Sequence, residues 1–349
     1  MGKKIVVMED FTVRGTDHMK VFDILAEKYG AEVQHIHVQK NIHDGEAFAK
    51  MFLNMEKNGP DVIDEEEELL EAVWDADIVI SHISAVSTKA VNSAKHLEAV
   101  CIMRSGVENV NLANCKEKGI KVINAPGRLA VPVSEFTIGL MIATMKNIAH
   151  SHQRMQAKNF DNKFANDCYS VNLKGKNVGL VGCGMVGSRV ARVLKALEAN
   201  VMIYDPYMPA EKIAALGYER VELNELCAKA DVISIHYRLT PETKGMIGPE
   251  QFALMKPNCF LINTARAGLV DEAAMMDALE NRKIAGAGLD VFHEEPLSEN
   301  NPLLSMDNVT ITNHLAGHCA DIFQMTADIM MNALNHYFET GEWINQVRY

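Results

Sequence analysis

The stretch NVGLVGCGMVGSRVARVLKALEANVMIYD, residues 177–205, decides the fold. It opens on a short apolar run, passes through Gly182-Cys183-Gly184-Met185-Val186-Gly187, continues as a helix-forming segment, and ends a second apolar run on Asp205. A bare G-x-G-x-x-G recurs by chance in loops. Set between a strand and a helix, with an acid 18 residues past Gly187 at the end of the next strand, it reads as a dinucleotide-binding βαβ unit. Gly182 permits the tight turn, Gly184 lets the backbone approach a diphosphate, and Gly187 lets the helix pack close to the strand. The helix start, with Met185 and Val186, offers phosphates free N–H groups and a positive dipole end. Asp205 is suited to accept hydrogen bonds from both adenosine ribose hydroxyls, and its charge repels a 2'-phosphate. Neither Tyr204 nor Pro206 supplies a compensating cation. The expected cofactor is NAD rather than NADP; the plainer alternative for Asp205 is a turn aspartate ahead of Pro206.

Outward from this unit, short β-branched runs alternate with helix-length segments along the whole chain. Strands are expected at 5–8, 33–38, 78–81, 99–103 and 120–123, then at 177–181, 200–204, 232–236, 259–263, 285–289 and 309–312. Such alternation means parallel sheets with right-handed crossovers, an α/β chain of two doubly wound domains. The runs are apolar on successive residues, as for strands covered on both faces. A breaker cluster at 124–128 divides the halves, and Ser134 is expected to cap the long apolar helix that follows. The stretch 321–349 reads as a Met- and Ala-rich helix ending near Gly341, which must dock on something already formed. The acidic run 64–68 reads as a solvated helix start, favoured by the macrodipole.

A chain of 349 residues, 48% hydrophobic and 23% charged, has room for two apolar cores and an ordinary globular composition. The net charge of -12 argues against nucleic acid or an anionic membrane as a partner. An anionic small-molecule substrate must then be drawn in by local cations. The N-terminal apolar run is too short for a signal peptide, and the most apolar stretch, 136–145, is about half a membrane span. Seven cysteines without C-x-x-C spacing fit reduced, buried thiols of a cytoplasmic protein, with no metal site expected.

Three further segments place polar residues at strand ends, where an α/β sheet presents its ligands. They are NTARAGLVDE (263–272), LDVFHEEPL (289–297) and TNHLAG (312–317). Hydride transfer to a 2-oxo acid needs a guanidinium to hold the carboxylate and polarise the carbonyl. It needs an acid matched to neutral pH, and a carboxylate that orients that acid. Arg266, His314 and Glu295 fill these roles. Singly each is more simply a surface cation, a strand-end histidine or a loop charge; their joint occurrence downstream of a cofactor fingerprint carries the catalytic reading.

With VGCGMVG and Asp205, HYRLTPETKGMIG (236–248) and these three segments, the chain resembles the D-isomer-specific 2-hydroxyacid dehydrogenases over nearly its whole length. The resemblance implies catalytic Arg266, Glu295 and His314. It implies a nicotinamide-amide contact from Asp290 and cofactor contacts from His236, Thr243, Thr264, Ala265, Arg266, His314 and Gly317. It also implies a flavodoxin-like substrate domain, 1–125 plus 317–349, with a Rossmann NAD-binding domain, 126–316, inserted in it. Homodimers would form through the cofactor domain, with the helix from Ser134 and the segment to about residue 170 as interface. Substrate contacts would come from Ser84 and Ala85 and from the glycine-rich loop Arg104, Ser105, Gly106 and Val107, whose N–H groups grip the substrate carboxylate.

The chain departs from the pattern in two places. The usual His-x-Pro-Leu is His236-Tyr237-Arg238-Leu239, which puts an extra cation near the cofactor or the site mouth, or a plain solvent-facing arginine; the usual Thr-Pro-His is Thr312-Asn313-His314. Arg104, where many relatives have glycine, together with Arg128 and Arg238 suggests a phosphorylated or polyhydroxylated sugar-type acid. The bland alternative pairs Arg104 with Glu108 or Asp290. Glyoxylate, hydroxypyruvate or D-lactate specificity is the other substrate reading. A formate dehydrogenase fits less well, for want of a counterpart to Glu295, and an NAD-sensing corepressor-like regulator is the alternative of another class.

Overall fold

The computed structural model describes residues 2–14, 16–170 and 172–348, so Tyr349, the last residue of the tail, lies outside the described residues. The chain divides into two compact units, residues 1–128 with 320–349 and residues 129–319.

The first unit is built on five parallel strands, β1 (Lys4–Glu9), β2 (Glu32–His37), β3 (Ile78–Ser81), β4 (Ala99–Ile102) and β5 (Lys121–Asn124), ordered β2-β1-β3-β4-β5. That is the flavodoxin-like order, with its topological switch between β1 and β3. β3 and β4 are buried at every position, as strands covered on both faces should be. β2 is the edge, and its alternating partial exposure differs from the continuous burial expected of it. Two cores flank the sheet. On one side Val6, Ile36, Leu69 and Val100 pack together; on the other Ile5, Phe22 and Ile80 pack under the C-terminal helix Ile322–Thr340. That helix buries Ala327, Met330, Ala333 and Leu334 and ends at Gly341 in the left-handed conformation glycine adopts without strain.

The second unit carries seven parallel strands, β6 (Asn177–Val181), β7 (Asn200–Tyr204), β8 (Glu219–Arg220), β9 (Val232–Ile235), β10 (Phe260–Asn263), β11 (Gly286–Leu289) and β12 (Val309–Ile311). Their order, β12-β11-β10-β9-β6-β7-β8, is that of a doubly wound dinucleotide-binding sheet with one strand added. β8 is a strand the sequence does not announce: two exposed residues at the sheet edge, too short to make a run.

Two local expectations are corrected. The long apolar helix runs Ala130–Met145, starting four residues before Ser134. Ser134 lies buried inside it and donates to the Val131 carbonyl at 2.8 Å rather than capping the helix. Pro132 is accommodated in the first turn, where its missing N–H has no partner to lose. The acidic run 64–68 is only partly a helix start: the helix begins at Glu67, while Glu65 and Glu66 accept backbone N–H groups from Ser87 (2.9 Å) and Lys40 (3.0 Å). No described helix is long and apolar enough to cross a membrane.

Candidate active site

The glycine loop leaves β6 through Gly182 at φ +99°, where a Cβ would lie 2.7 Å from the His236 carbonyl oxygen. A Cβ at Gly187 would lie 2.2 Å from the Gly182 carbonyl, so the first turn of the helix Met185–Ala196 can close on the strand only through glycine. Gly184 is exposed, and a Cβ there would meet nothing within 4 Å. That open face, beside a helix start whose N-cap has no side chain, fits a diphosphate. Met185 is exposed and Val186 half-buried beside it.

Asp205 stands at the end of β7, only 7% exposed. Its carboxylate accepts the N–H groups of Cys183 (2.8 Å), Tyr207 (3.0 Å) and Met208 (3.2 Å), which leaves about one of its four acceptor positions. It is thus a turn aspartate and also a tie to the glycine loop. Beyond β9, the His236 ring shares a hydrogen bond with Ser234 Oγ at 3.0 Å, and burial pushes its pKa down to about 4, so it is neutral. Thr243 is buried and closes its own loop, receiving the Thr240 N–H (2.7 Å) and donating to the Arg238 carbonyl (2.8 Å). Val186, His236, Tyr237, Arg238, Thr264 and Arg266 line a cavity of about 340 Å³.

The chemistry-bearing side chains stand at the ends of the next three strands. At the end of β10, Asn263 brackets the turn that follows: its Oδ1 accepts the Ala265 N–H at 3.0 Å and its Nδ2 donates to the Arg266 carbonyl at 3.1 Å. Thr264 anchors the same turn to the long helix through Thr137, hydroxyl to hydroxyl at 2.6 Å. Arg266 is left exposed, with Nη1 donating to the Ala265 carbonyl at 2.7 Å. At the end of β11, Asp290 is wholly buried and accepts from Thr312 Oγ1 (2.6 Å), Leu315 N–H (2.9 Å) and Ala316 N–H (2.9 Å). Those three bonds clamp the turn that holds His314 at φ +57°, a left-handed conformation uncommon for a residue with a side chain. Gly317 follows, its hydrogen face against Leu129.

Glu295 Oε2 lies 2.8 Å from His314 Nδ1, and its Oε1 accepts the Phe292 N–H at 2.9 Å. Burial alone would raise this carboxyl. The bonds from His314 and Phe292, with the charges of His314 and Arg266, outweigh burial and hold it below the usual range. Facing a carboxylate, Nδ1 carries the proton, which leaves Nε2 as the nitrogen able to exchange one with a ligand. Arg266, Glu295 and His314 therefore form one cluster. Asn263, Thr137 and Thr312 hold it and are not among the residues expected at the site; a polar residue at a strand end is a signal for Asn263 and Thr312, and none marks Thr137 inside the helix Ala130–Met145.

In the first unit, Ser84 is 1% exposed and its hydroxyl has no hydrogen-bond partner among the described residues; Ala85 is buried as well. Ser105 is exposed and Gly106 and Val107 half-buried, with the Glu108 carboxylate lying over Gly106. Arg104 does not pair with Glu108: its Nη2 lies 3.3 Å from Glu56 and its guanidinium 4.4 Å over the Phe52 ring.

Comparison with known proteins places the chain in one family. Residues 138–316 match the family model described as "D-isomer specific 2-hydroxyacid dehydrogenase, NAD binding domain". The D-3-phosphoglycerate dehydrogenase of Methanocaldococcus jannaschii is 42% identical over 250 residues, 71% of this chain and 47% of that one. The hydroxypyruvate reductase of Blautia hydrogenotrophica is 32% identical over 286 residues, 80% of this chain and 88% of that one. The chain spans about half the length of the D-3-phosphoglycerate dehydrogenases it matches. Among solved structures, the NAD-complexed D-isomer-specific 2-hydroxyacid dehydrogenase of Lactobacillus delbrueckii shares the fold, with a TM-score of 0.75, 22% identity, and 99% of this chain and all of that one covered.

Proposed function

The chain belongs to the D-isomer-specific 2-hydroxyacid dehydrogenases, its second unit being their NAD-binding domain, and from that premise we propose that it reversibly reduces a 2-oxo acid to a D-2-hydroxy acid. The observation that carries the reading is the His314–Glu295 pair at 2.8 Å beside Arg266. In this reading the unit 129–319 holds the cofactor, and the unit 1–128 with 320–349 contributes Ser84, Ala85 and the loop 104–107 to substrate binding. The glycine loop, with Gly182, Gly184 and Gly187, and Asp205 would hold the dinucleotide, which supplies or accepts the hydride when bound. Arg266 grips the carboxylate of the oxo acid through its fork and draws electron density toward the carbonyl oxygen. His314, as the imidazolium that Glu295 steadies, gives its Nε2 proton to that oxygen as the alkoxide develops and is left neutral. In the other direction His314 takes the hydroxyl proton.

For the substrate we favour a phosphorylated or polyhydroxylated acid, supported by the similarity to D-3-phosphoglycerate dehydrogenases. One observation favours the second reading, hydroxypyruvate or glyoxylate: Glu56 offsets much of the charge that Arg104 would offer a distal anionic group. A panel of 2-oxo acids followed by NADH absorbance decides between them. Arg266→Ala and His314→Ala should each lower kcat by orders of magnitude while NADH binding survives. Full activity in the His314 variant would remove the proton donor from this scheme.

The reading extends to a homodimer formed through the second unit. The helix Ile148–Gln156 buries none of its residues within the chain, and Ile148, Met155 and Phe160 are 53%, 46% and 82% exposed. Uncovered apolar side chains along this helix and the segment after it are what a second copy would cover. Sedimentation of Phe160→Asp beside the unmodified protein tests it, and a monomer in both cases would end this part of the proposal. A cytoplasmic setting is supported by the burial of Cys101, Cys115, Cys183, Cys227 and Cys259 as thiols.

A further inference from the structure

The loop after β9 presents a cation that the catalytic scheme does not use. Arg238 is exposed on the rim of the cavity that also contains Val186, from the first turn of the helix Met185–Ala196, and Arg266. Its backbone is fixed, because its carbonyl accepts the Thr243 hydroxyl at 2.8 Å and Thr243 receives the Thr240 N–H. Among the described residues its guanidinium has neither a hydrogen bond nor an ion pair, whereas Arg104 and Arg282 are each held by a carboxylate.

The glycine loop, by contrast, has no cation of its own. From Gly182 to Ser188 no side chain is charged. The first one along the helix, Arg189, turns its Nε to Ser134 Oγ at 3.4 Å. A bound diphosphate would thus meet backbone N–H groups and a helix end equivalent to roughly half a charge, set in a chain of net charge -12. Two phosphate charges leave most of that deficit unmet. A guanidinium sharing the cavity with the helix start has the planar fork that matches two phosphate oxygens.

Resting on the reading of the second unit as an NAD site, we propose that Arg238 is the side-chain cation of the diphosphate seat. It acts on cofactor binding and leaves the carboxylate end of the substrate to Arg266.

The test is direct binding of NADH by fluorescence and of ADP-ribose by calorimetry, at low and high salt, to the unmodified protein, Arg238→Gln and Arg238→Lys. In Arg238→Gln both affinities should fall about tenfold, as expected for one charged hydrogen-bonding contact, and the salt dependence should flatten. Arg238→Lys should recover part of the affinity, and the KM for the oxo acid at saturating NADH should stay within about twofold. Unchanged NADH and ADP-ribose affinities overturn the assignment. So does a loss confined to the KM of the oxo acid, which would make Arg238 a substrate residue. If the unmodified protein binds neither NADH nor ADP-ribose, the NAD reading itself fails and this one with it.

Discussion

Asp290 and His314 depend on each other in a way no single residue type reveals. A side-chain-bearing residue at φ +57° is held against a preference of about 1 kcal/mol or more, so its turn needs a tie from outside. Asp290 supplies that tie with three accepted hydrogen bonds from inside the protein. Thr312→Val removes one of them and leaves a buried carboxylate oxygen short of a partner, at a cost of about 1–3 kcal/mol. Urea unfolding should show that loss, and kcat should fall with it because the His314 ring loses its placement; an unchanged kcat would show that the turn holds without Thr312. His236 gives a prediction in pH. Its folded pKa of about 4 lies below the ordinary value of 6.5, so between those values the unfolded chain binds the extra proton. Stability is therefore complete above about pH 6.5 and falls as pH drops toward 4, by on the order of 3 kcal/mol in all. Melting curves at pH 7 and pH 5 should converge in His236→Asn and separate in the unmodified protein. The types and positions of Arg266, Glu295 and His314 were legible in the sequence because each follows a strand. What Asp205, Asp290 and Arg104 touch was not, since a carboxylate or guanidinium near a turn chooses among partners that only the folded loops bring within 3 Å or so.

Strands and helices were legible where burial enforces a pattern. The runs at 78–81 and 99–103 are apolar because their strands are covered on both faces, and the helix after the glycine loop declares itself by its spacing. β8 was illegible because two exposed edge residues, Glu219 and Arg220, carry no periodicity. The start of the helix Ala130–Met145 was misplaced because a serine near a helix start resembles a cap, while the real start at Leu129 has no side-chain cap to announce it. The element most sensitive to one atom is the helix Met185–Ala196. Gly187→Ala puts a methyl 2.2 Å from a backbone carbonyl that cannot move without disturbing β6. Overpacking of this kind costs about 1–3 kcal/mol and should tilt the helix start away from the glycine loop. NADH affinity should drop at least tenfold, with a lower Tm. Retention of full affinity would mean the loop relaxes around the extra carbon, and the close approach would then be no requirement of binding.

At the scale of the molecule, the decisive fact is that the chain leaves its first unit after residue 128 and returns to it at residue 320. The first unit is completed only by the last helix, so its fold closes with contacts distant in sequence, whereas the second unit is one continuous segment. Each has its own cores: Ile5, Phe22, Met330 and Leu334 belong to one, Val181, Ile233, Leu180 and Ile262 to the other. Cores that share no side chain can respond separately to a mutation and to a ligand. Leu334→Ala removes a wholly buried side chain and should cost about 2–5 kcal/mol, all of it in the first unit. NADH, bound through the second unit, should stabilise that unit by about 2.7 kcal/mol at a hundredfold excess over Kd. Calorimetry of the two proteins with and without NADH should then show two transitions, one lowered by Leu334→Ala and unmoved by NADH, the other raised by NADH and unmoved by the substitution. A single transition shifted by both would show that the units unfold as one, and that the tail helix stabilises the cofactor unit as much as the unit it packs on.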